Sequence, residues 1–102
     1  MAILAAARTS DLVTRVPDGC SPTTTLATGN PKVLVGGLPV AVIGTLTEPH
    51  TRQSGNSCIP HIGTVTSGSL RVFVGGTGIA RTSDTVDTIH AITGGFAKVL
   101  VG

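Results

Sequence analysis

The pentapeptide Ala7-Arg8-Thr9-Ser10-Asp11 returns letter for letter as Ala80-Arg81-Thr82-Ser83-Asp84, and a looser copy, Ala41-Val42-Ile43-Gly44-Thr45, lies between them. A second element alternates with the first: Gly29-Asn30-Pro31-Lys32-Val33-Leu34-Val35-Gly36, Gly68-Ser69-Leu70-Arg71-Val72-Phe73-Val74-Gly75 and Gly95-Phe96-Ala97-Lys98-Val99-Leu100-Val101-Gly102. Each reads as glycine, three variable residues, three β-formers and glycine. The chain is therefore three degenerate copies of one unit: an Ala/Val strand, a polar loop and a Gly-bounded Val-rich strand. Gly36-Gly37 and Gly75-Gly76 stand where a tight hairpin turn leads into the next copy's Ala/Val strand. No copy can bury its apolar face alone, so the three share one core. The fold expected for residues 1–102 is a single all-β domain, a pseudo-threefold body of short strands and hairpins with its three polar loops meeting at one end.

Composition agrees with that reading and excludes several functions. With 14 Gly, only Phe73 and Phe96 as aromatics and 12% charged residues, the core must be packed from Val, Ile, Leu and Ala on a tightly turning backbone. The seven Lys and Arg are scattered and the formal net charge is +2, so neither the basic face nor the stacking aromatics of a nucleic-acid binder are present. MAILAAARTS at residues 1–10 has no basic flank and makes a poor signal peptide. The longest apolar run, residues 33–43, is broken by Gly36, Gly37 and Pro39 and is too short to span a bilayer. The protein is expected to be made in the cytoplasm, where two cysteines are more often metal ligands or free thiols than a disulfide.

The chemistry-bearing residues fall in the loops. Loop one, residues 12–28, carries Cys20; loop two, residues 46–67, carries His50, Cys58 and His61; loop three, residues 85–94, carries His90. The stretch TLTEPHTRQSGNSCIPH, residues 45–61, has too much Pro, Gly, Ser and Asn to read as helix or strand. No His or Cys lies outside the loops, and three imidazoles with one thiolate meet the four-ligand count of a structural zinc. A catalytic thiol needs a cleft and an orienting group, and a loop apex on a small body offers no cleft. The acids Asp11, Asp18, Glu48, Asp84 and Asp87 are dispersed, with no carboxylate pair for acid–base work. Asp11 and Asp84 occupy equivalent repeat positions and read as turn residues that accept backbone N–H bonds. The chain is read as non-enzymatic, with no small-molecule substrate.

Residues 6–11 (Ala-Ala-Arg-Thr-Ser-Asp), 39–44 (Pro-Val-Ala-Val-Ile-Gly) and 79–84 (Ile-Ala-Arg-Thr-Ser-Asp) resemble the Ala-Ala-Arg-x-Gly-Asp element of the PAAR-repeat proteins, which cap the spikes of type VI secretion systems, contractile phage tails and related injection machines. The stretches at 28–37 and 67–76 are similar to that family's Ser-Gly-Ser-Pro-x-Val-x-Val-x-Gly, and the resemblance covers the whole chain. It implies a cone of short strands whose pointed end is fixed by a zinc and whose broad base sits on a trimeric β-helical spike, one copy per trimer. It further implies a place at the tip of the machine, transient contact with a target membrane, and a base built around Val33, Val35, Val72, Val74, Val99 and Val101. His50 and His61 match the ligand positions of loop two, Ile59-Pro60-His61-Ile62-Gly63 resembling the family's Ile-Pro-His-Val-Gly, and His90 stands where relatives often have Cys. Loop one reads Asp18-Gly19-Cys20, without the histidine of many relatives. The fourth ligand is Cys20, in the family's loop-one position, or Cys58, which has Cys-x-x-His spacing to His61.

Ser10 and Ser83 replace the family's usual glycine, so those turns are expected not to need a positive φ. Zinc would clamp loops that otherwise splay; a structural zinc contributes about 10–16 kcal/mol apparent, against about 5–15 kcal/mol for a whole domain. No toxin extension is expected, since the third copy closes at Gly102. The alternative from another class is a free-standing zinc-binding adaptor without a piercing role.

Overall fold

A computed structural model of the chain describes residues 3–15 and 19–102, so Asp18 of loop one lies outside the described residues. Among these there is no helix, and each copy contributes four short strands. Copy one holds β1 (Leu4–Ala6), β2 (Leu12–Thr14), β3 (Thr23–Thr25) and β4 (Asn30–Val35). Copy two holds β5 (Leu38–Val40), β6 (His50–Ser54), β7 (Ser57–His61) and β8 (Phe73–Val74). Copy three holds β9 (Thr77–Gly78), β10 (Thr85–Val86), β11 (His90–Ile92) and β12 (Phe96–Val101). Among the described residues, then, no helix is long and apolar enough to cross a membrane.

The copies are tied by closed cycles of backbone hydrogen bonds. Ala7 N–H donates to Ala80 O (3.0 Å), Ala80 N–H to Ala41 O (2.9 Å) and Ala41 N–H back to Ala7 O (2.9 Å). Thr9 donates to Pro39 O, Ile43 to Gly78 O and Thr82 to Ala5 O, at 2.9–3.0 Å. A third cycle joins Ala27 to Leu46 O, Thr66 to Thr85 O and Thr93 to Leu12 O, at 2.8–2.9 Å. Each cycle uses the same repeat position three times, which is the signature of a pseudo-threefold axis. The ring closes head to tail, because β12 pairs antiparallel with β1 through Leu4↔Val101 and Ala5↔Leu100. Closure removes the free edge that a terminal strand would otherwise offer.

The side chains stack in layers along this axis. Val35 and Val101 with partly buried Val74, then Ala6, Val40 and Ile79, form one cluster. The alanine triad Ala7, Ala41 and Ala80 follows, then Leu26, Val65 and Ile92, then Val13 and Val86. Thr47 takes the place of a third valine in that last layer, since Leu26 bridges Thr47 as Val65 bridges Val86 and Ile92 pairs with Val13. The alanines are wholly buried where three backbones approach within hydrogen-bond distance, leaving room for one methyl each. Gly36 (φ 59°), Gly37 (φ 86°), Gly75 (φ 59°) and Gly76 (φ 81°) form the expected two-residue turns of the β4–β5 and β8–β9 hairpins. Type I′ turns need a positive φ at both positions, which glycine adopts without strain.

The two aspartates behave as read. Asp11 Oδ2 accepts the N–H of Arg8 (2.7 Å) and Asp84 Oδ2 that of Arg81 (2.8 Å), while Thr45 Oγ1 accepts that of Val42 (3.0 Å) in copy two. The turn expectation is corrected, however: Ser10 (φ 77°) and Ser83 (φ 81°) adopt the same left-handed backbone as Gly44 (φ 94°). The cause is the ladder on the far side of each turn. Ser10 N–H donates to Leu26 O (2.7 Å), Ser83 to Ile92 O (2.8 Å) and Gly44 to Val65 O (2.9 Å), so all three residues are held in one conformation whatever their side chain.

A second correction concerns residues 45–61, expected as irregular loop. Its larger part is a hairpin, β6 against β7, running in register from His50↔His61 to Ser54↔Ser57. Cross-strand bonds satisfy its backbone, and both faces meet solvent over residues 52–58, so no apolar alternation announces the strands. Pro60 is tolerated because each strand of a two-stranded ribbon is also an edge. Gly55 (φ 59°) opens its turn.

Candidate functional site

Beyond the last core layer the loops lean on one another. Loop one lies along β6: the Arg15 guanidinium donates to Ser21 O and Thr51 O, Ser21 Oγ and Thr51 Oγ1 are 2.8 Å apart, and Thr51 N–H donates to Ser21 Oγ. Loop two meets loop three through Asp87, and loop three returns to loop one through the Ala91↔Thr14 pair. All three histidines are at this end.

His50 Nδ1 is 2.9 Å from Glu48 O. A carbonyl only accepts, so Nδ1 carries the hydrogen, and Nε2 is buried without a hydrogen-bond partner. Its ring stands edge-on to His61, centroids 5.2 Å apart. His61 Nε2 donates to Asp87 Oδ2 at 2.8 Å, and Thr64 N–H donates to Asp87 Oδ1 at 3.0 Å. Burial works against the charged form of Asp87, but the His61 bond, the Thr64 N–H and the charges of His61 and His90 outweigh it and hold the carboxyl below its ordinary value. His90 is buried on β11, opposite Val86.

The carboxylate reaches His61 through local features that sequence spacing does not announce. Asp87 (φ 54°) and Thr88 (φ 64°) both lie in the left-handed region, costly above all for β-branched Thr88. The conformation is held by Asp87 N–H on Thr64 O (2.9 Å) and Thr88 N–H on Thr66 Oγ1 (3.0 Å). Gly63 supplies the space, since a Cβ there would lie 2.8 Å from Asp87 Oδ2.

The cysteines depart from the sequence reading. Cys20 and Cys58 are joined as a disulfide, Cα atoms 5.8 Å apart, which corrects the expectation of free thiols. The hairpin carries Cys58 out to loop one, where the contacts around Thr51 set the two loops side by side. The Cys58-x-x-His61 spacing does not gather those side chains either. On extended β7, residues three apart point to opposite faces and lie roughly 10 Å apart.

These positions bear on the zinc that the resemblance implies. The imidazoles suit it in part: the unpartnered Nε2 of His50 offers a lone pair, and a carboxylate on the far nitrogen of His61 is the usual support of a metal-bound histidine. The sulfur does not suit it while the disulfide stands, because zinc takes thiolate. Among the described residues no group of three or more His, Cys, Asp or Glu is arranged to hold a metal ion.

At the opposite end, the pleat divides the six valines expected at a partner surface. Val35 and Val101 are buried and Val74 partly so, whereas Val33, Val72 and Val99 are 37, 39 and 37% exposed. Leu34, Phe73 and Leu100, passed over in the sequence, are 59, 55 and 59% exposed at one repeat position. The matching values mean that this end shows the same apolar surface three times. No protein-family model matches the chain, and no curated protein is significantly similar to it.

Proposed function

We propose that the chain is a structural cap, seated by its valine–leucine end on a trimeric β-helical spike of a contractile injection machine, with the loop end forming the tip that pierces a target envelope. The observation that carries this reading is the closed backbone cycle of Ala7, Ala41 and Ala80, which gives one polypeptide three equivalent sides. A homotrimeric β-helix ends in three equivalent strand edges with unpaired backbone groups. A cap made of three separate chains would have to assemble before it fitted; a single chain with an internal threefold fits as it folds. The apolar triplets Val33, Val72, Val99 and Leu34, Phe73, Leu100 supply burial at each side.

A tip under axial load needs its loops cross-linked, and the Cys20–Cys58 disulfide joins loop one to loop two. The His61–Asp87 bond joins loop two to loop three. Zinc in this reading belongs to His50, His61 and His90 with Cys20 as the sulfur ligand, a state that requires an external thiol reductant and replaces the disulfide tie.

Mixing the chain with the trimeric spike protein of its own source tests the cap. Mass measurement of the complex is expected to give one chain per trimer; three per trimer, or no complex, overturns the reading. Metal analysis after purification with reductant is expected to give one zinc per chain, and a metal-free reduced chain removes zinc while leaving the cap.

A further inference from the structure

Three of the seven Lys and Arg fall at one repeat position, Lys32, Arg71 and Lys98, the fourth residue of each Gly-bounded segment. The backbone there leaves the regular ladder. In the β4–β5 pairing the register jumps from Asn30 to Leu34, and in the β1–β12 pairing from Phe96 to Leu100, so residues 31–33 and 97–99 bulge out. In copy two Ser69 N–H donates to Ile79 O and residues 70–72 intervene before β8. Each cation is thus the middle residue of an outward three-residue excursion, and all three are exposed.

None of the three side chains has a hydrogen-bond or ion-pair partner among the described residues. The other repeated cations differ: Arg8 lies against Asp11 and Arg81 makes a two-pronged contact with Asp84, both as parts of turns. Asp11, Asp84 and Asp87 are engaged in those turns and with His61, so they do not neutralise this end. Beside each bulge are the half-exposed valine and the more exposed Leu or Phe of the same segment. Three exposed cations at one repeat position on an apolar face favour a partner that brings an anion to each, because docking takes them from water and a charge left unpaired there would then cost desolvation.

We infer that this end recognises a threefold-symmetric partner presenting one carboxylate per subunit around its axis, each carboxylate pairing with one of Lys32, Arg71 and Lys98. The inference rests on the cap reading and adds the chemistry of the contact. The cations set the rotational register of cap on trimer, and the apolar triplets supply most of the burial. On a homotrimer the three seatings of the cap related by 120° rotations are identical, so the cations fix its angle only within a third of a turn, whichever subunit Arg71 faces.

The test uses the same spike trimer and titrates binding against salt for the wild-type chain, the single variants Lys32→Gln, Arg71→Gln and Lys98→Gln, and the triple variant. Affinity is expected to fall as salt rises, each single variant to lose roughly two- to fivefold and the triple roughly 10- to 100-fold. A triple Glu variant is expected to be rescued by one Asp or Glu→Lys substitution in the spike, because one change in a homotrimer alters three sites. Folding of each variant is checked by its unfolding midpoint, which these exposed substitutions leave near wild type. One chain per trimer with salt-independent, variant-insensitive affinity overturns the inference and leaves the cap reading standing; no complex overturns both. Binding of the wild-type chain, but not the triple variant, to phosphatidylserine vesicles in place of the trimer assigns the cations to a membrane and also overturns the inference.

Discussion

The two ends of this protein are built on opposite plans. From the double-glycine turns to the layer of Leu26, Val65 and Ile92, nearly every contact occurs three times, and each backbone cycle closes on itself. Beyond that layer the described contacts differ from copy to copy: a disulfide joins loops one and two, a His–Asp bond joins loops two and three, the β6–β7 ladder outruns those of β2–β3 and β10–β11, and Thr47 stands where symmetry calls for valine. A symmetric body suits a partner that is itself symmetric, since each added contact counts three times. In the proposed cap the loop end meets no symmetric partner, which leaves its loops free to differ in length and chemistry.

The sharpest way to break that contrast is to compare cavities. Leu26 is fully buried in a repeated layer, so Leu26→Ala is expected to lose about 2–5 kcal/mol by denaturant titration. Ile59→Ala on the part-exposed hairpin is expected to lose well under half as much. Equal losses would mean that the tip, not the layered body, holds most of the stability. Next in size is the disulfide, whose cysteines are 38 residues apart. Replacing both by serine is expected to lose about 2–4 kcal/mol through the freer unfolded chain. Amide exchange is expected to speed up over residues 50–61 while Ala7, Ala41 and Ala80 stay protected. Uniform acceleration through the alanine triad would show body and tip to be one cooperative unit.

Thr47 tests the boundary itself. Its hydroxyl accepts Gly63 N–H at 2.9 Å and donates to Glu48 O at 3.1 Å, in a layer whose other members are Val13 and Val86. Thr47→Val restores the symmetry of the layer but leaves the Gly63 N–H without its acceptor. A loss of about 1–3 kcal/mol in unfolding free energy is expected. A gain in stability would mean that the apolar layer extends further toward the tip than its hydrogen bonds suggest.

What was legible in the sequence follows the same division. A threefold body imposes one set of residue types at three places, so the Ala/Val strands, the glycine turns and the capping roles of Asp11 and Asp84 could be read from repetition alone. The tip gives no such redundancy. The β6–β7 hairpin has solvent on both faces and hence no alternation, and the Cys20–Cys58 link depends on how far that hairpin carries Cys58. Asp87 matters only because Gly63 leaves it room and two threonines hold its turn. At the end opposite the loops the sequence pattern shows only a run of valines. Counting outward from the buried Val35 and Val101 shows that the pleat turns Leu34 and Leu100 the other way, with the bulged cations beyond them.

The smallest expected effect asks whether even the symmetric half uses its repeats equally. Ser10, Gly44 and Ser83 share one left-handed backbone, with φ of 77°, 94° and 81°, imposed by the equivalent bonds to Leu26, Val65 and Ile92. A side chain at such a φ costs roughly 1–2 kcal/mol. Glycine removes that cost but loosens the unfolded chain by about 0.4–1 kcal/mol. Ser10→Gly and Ser83→Gly are therefore expected each to raise stability by at most about 1 kcal/mol, and Gly44→Ser to lower it by a similar amount. No atom lies within 4 Å of a Cβ built on Gly44, so any loss there is backbone strain and not a clash. Chemical-denaturation midpoints of the three variants decide the matter. If Gly44→Ser is neutral while the two glycine variants lose stability, the serines contribute something that their backbone does not explain, and the three turns are equivalent in geometry without being equivalent in energy.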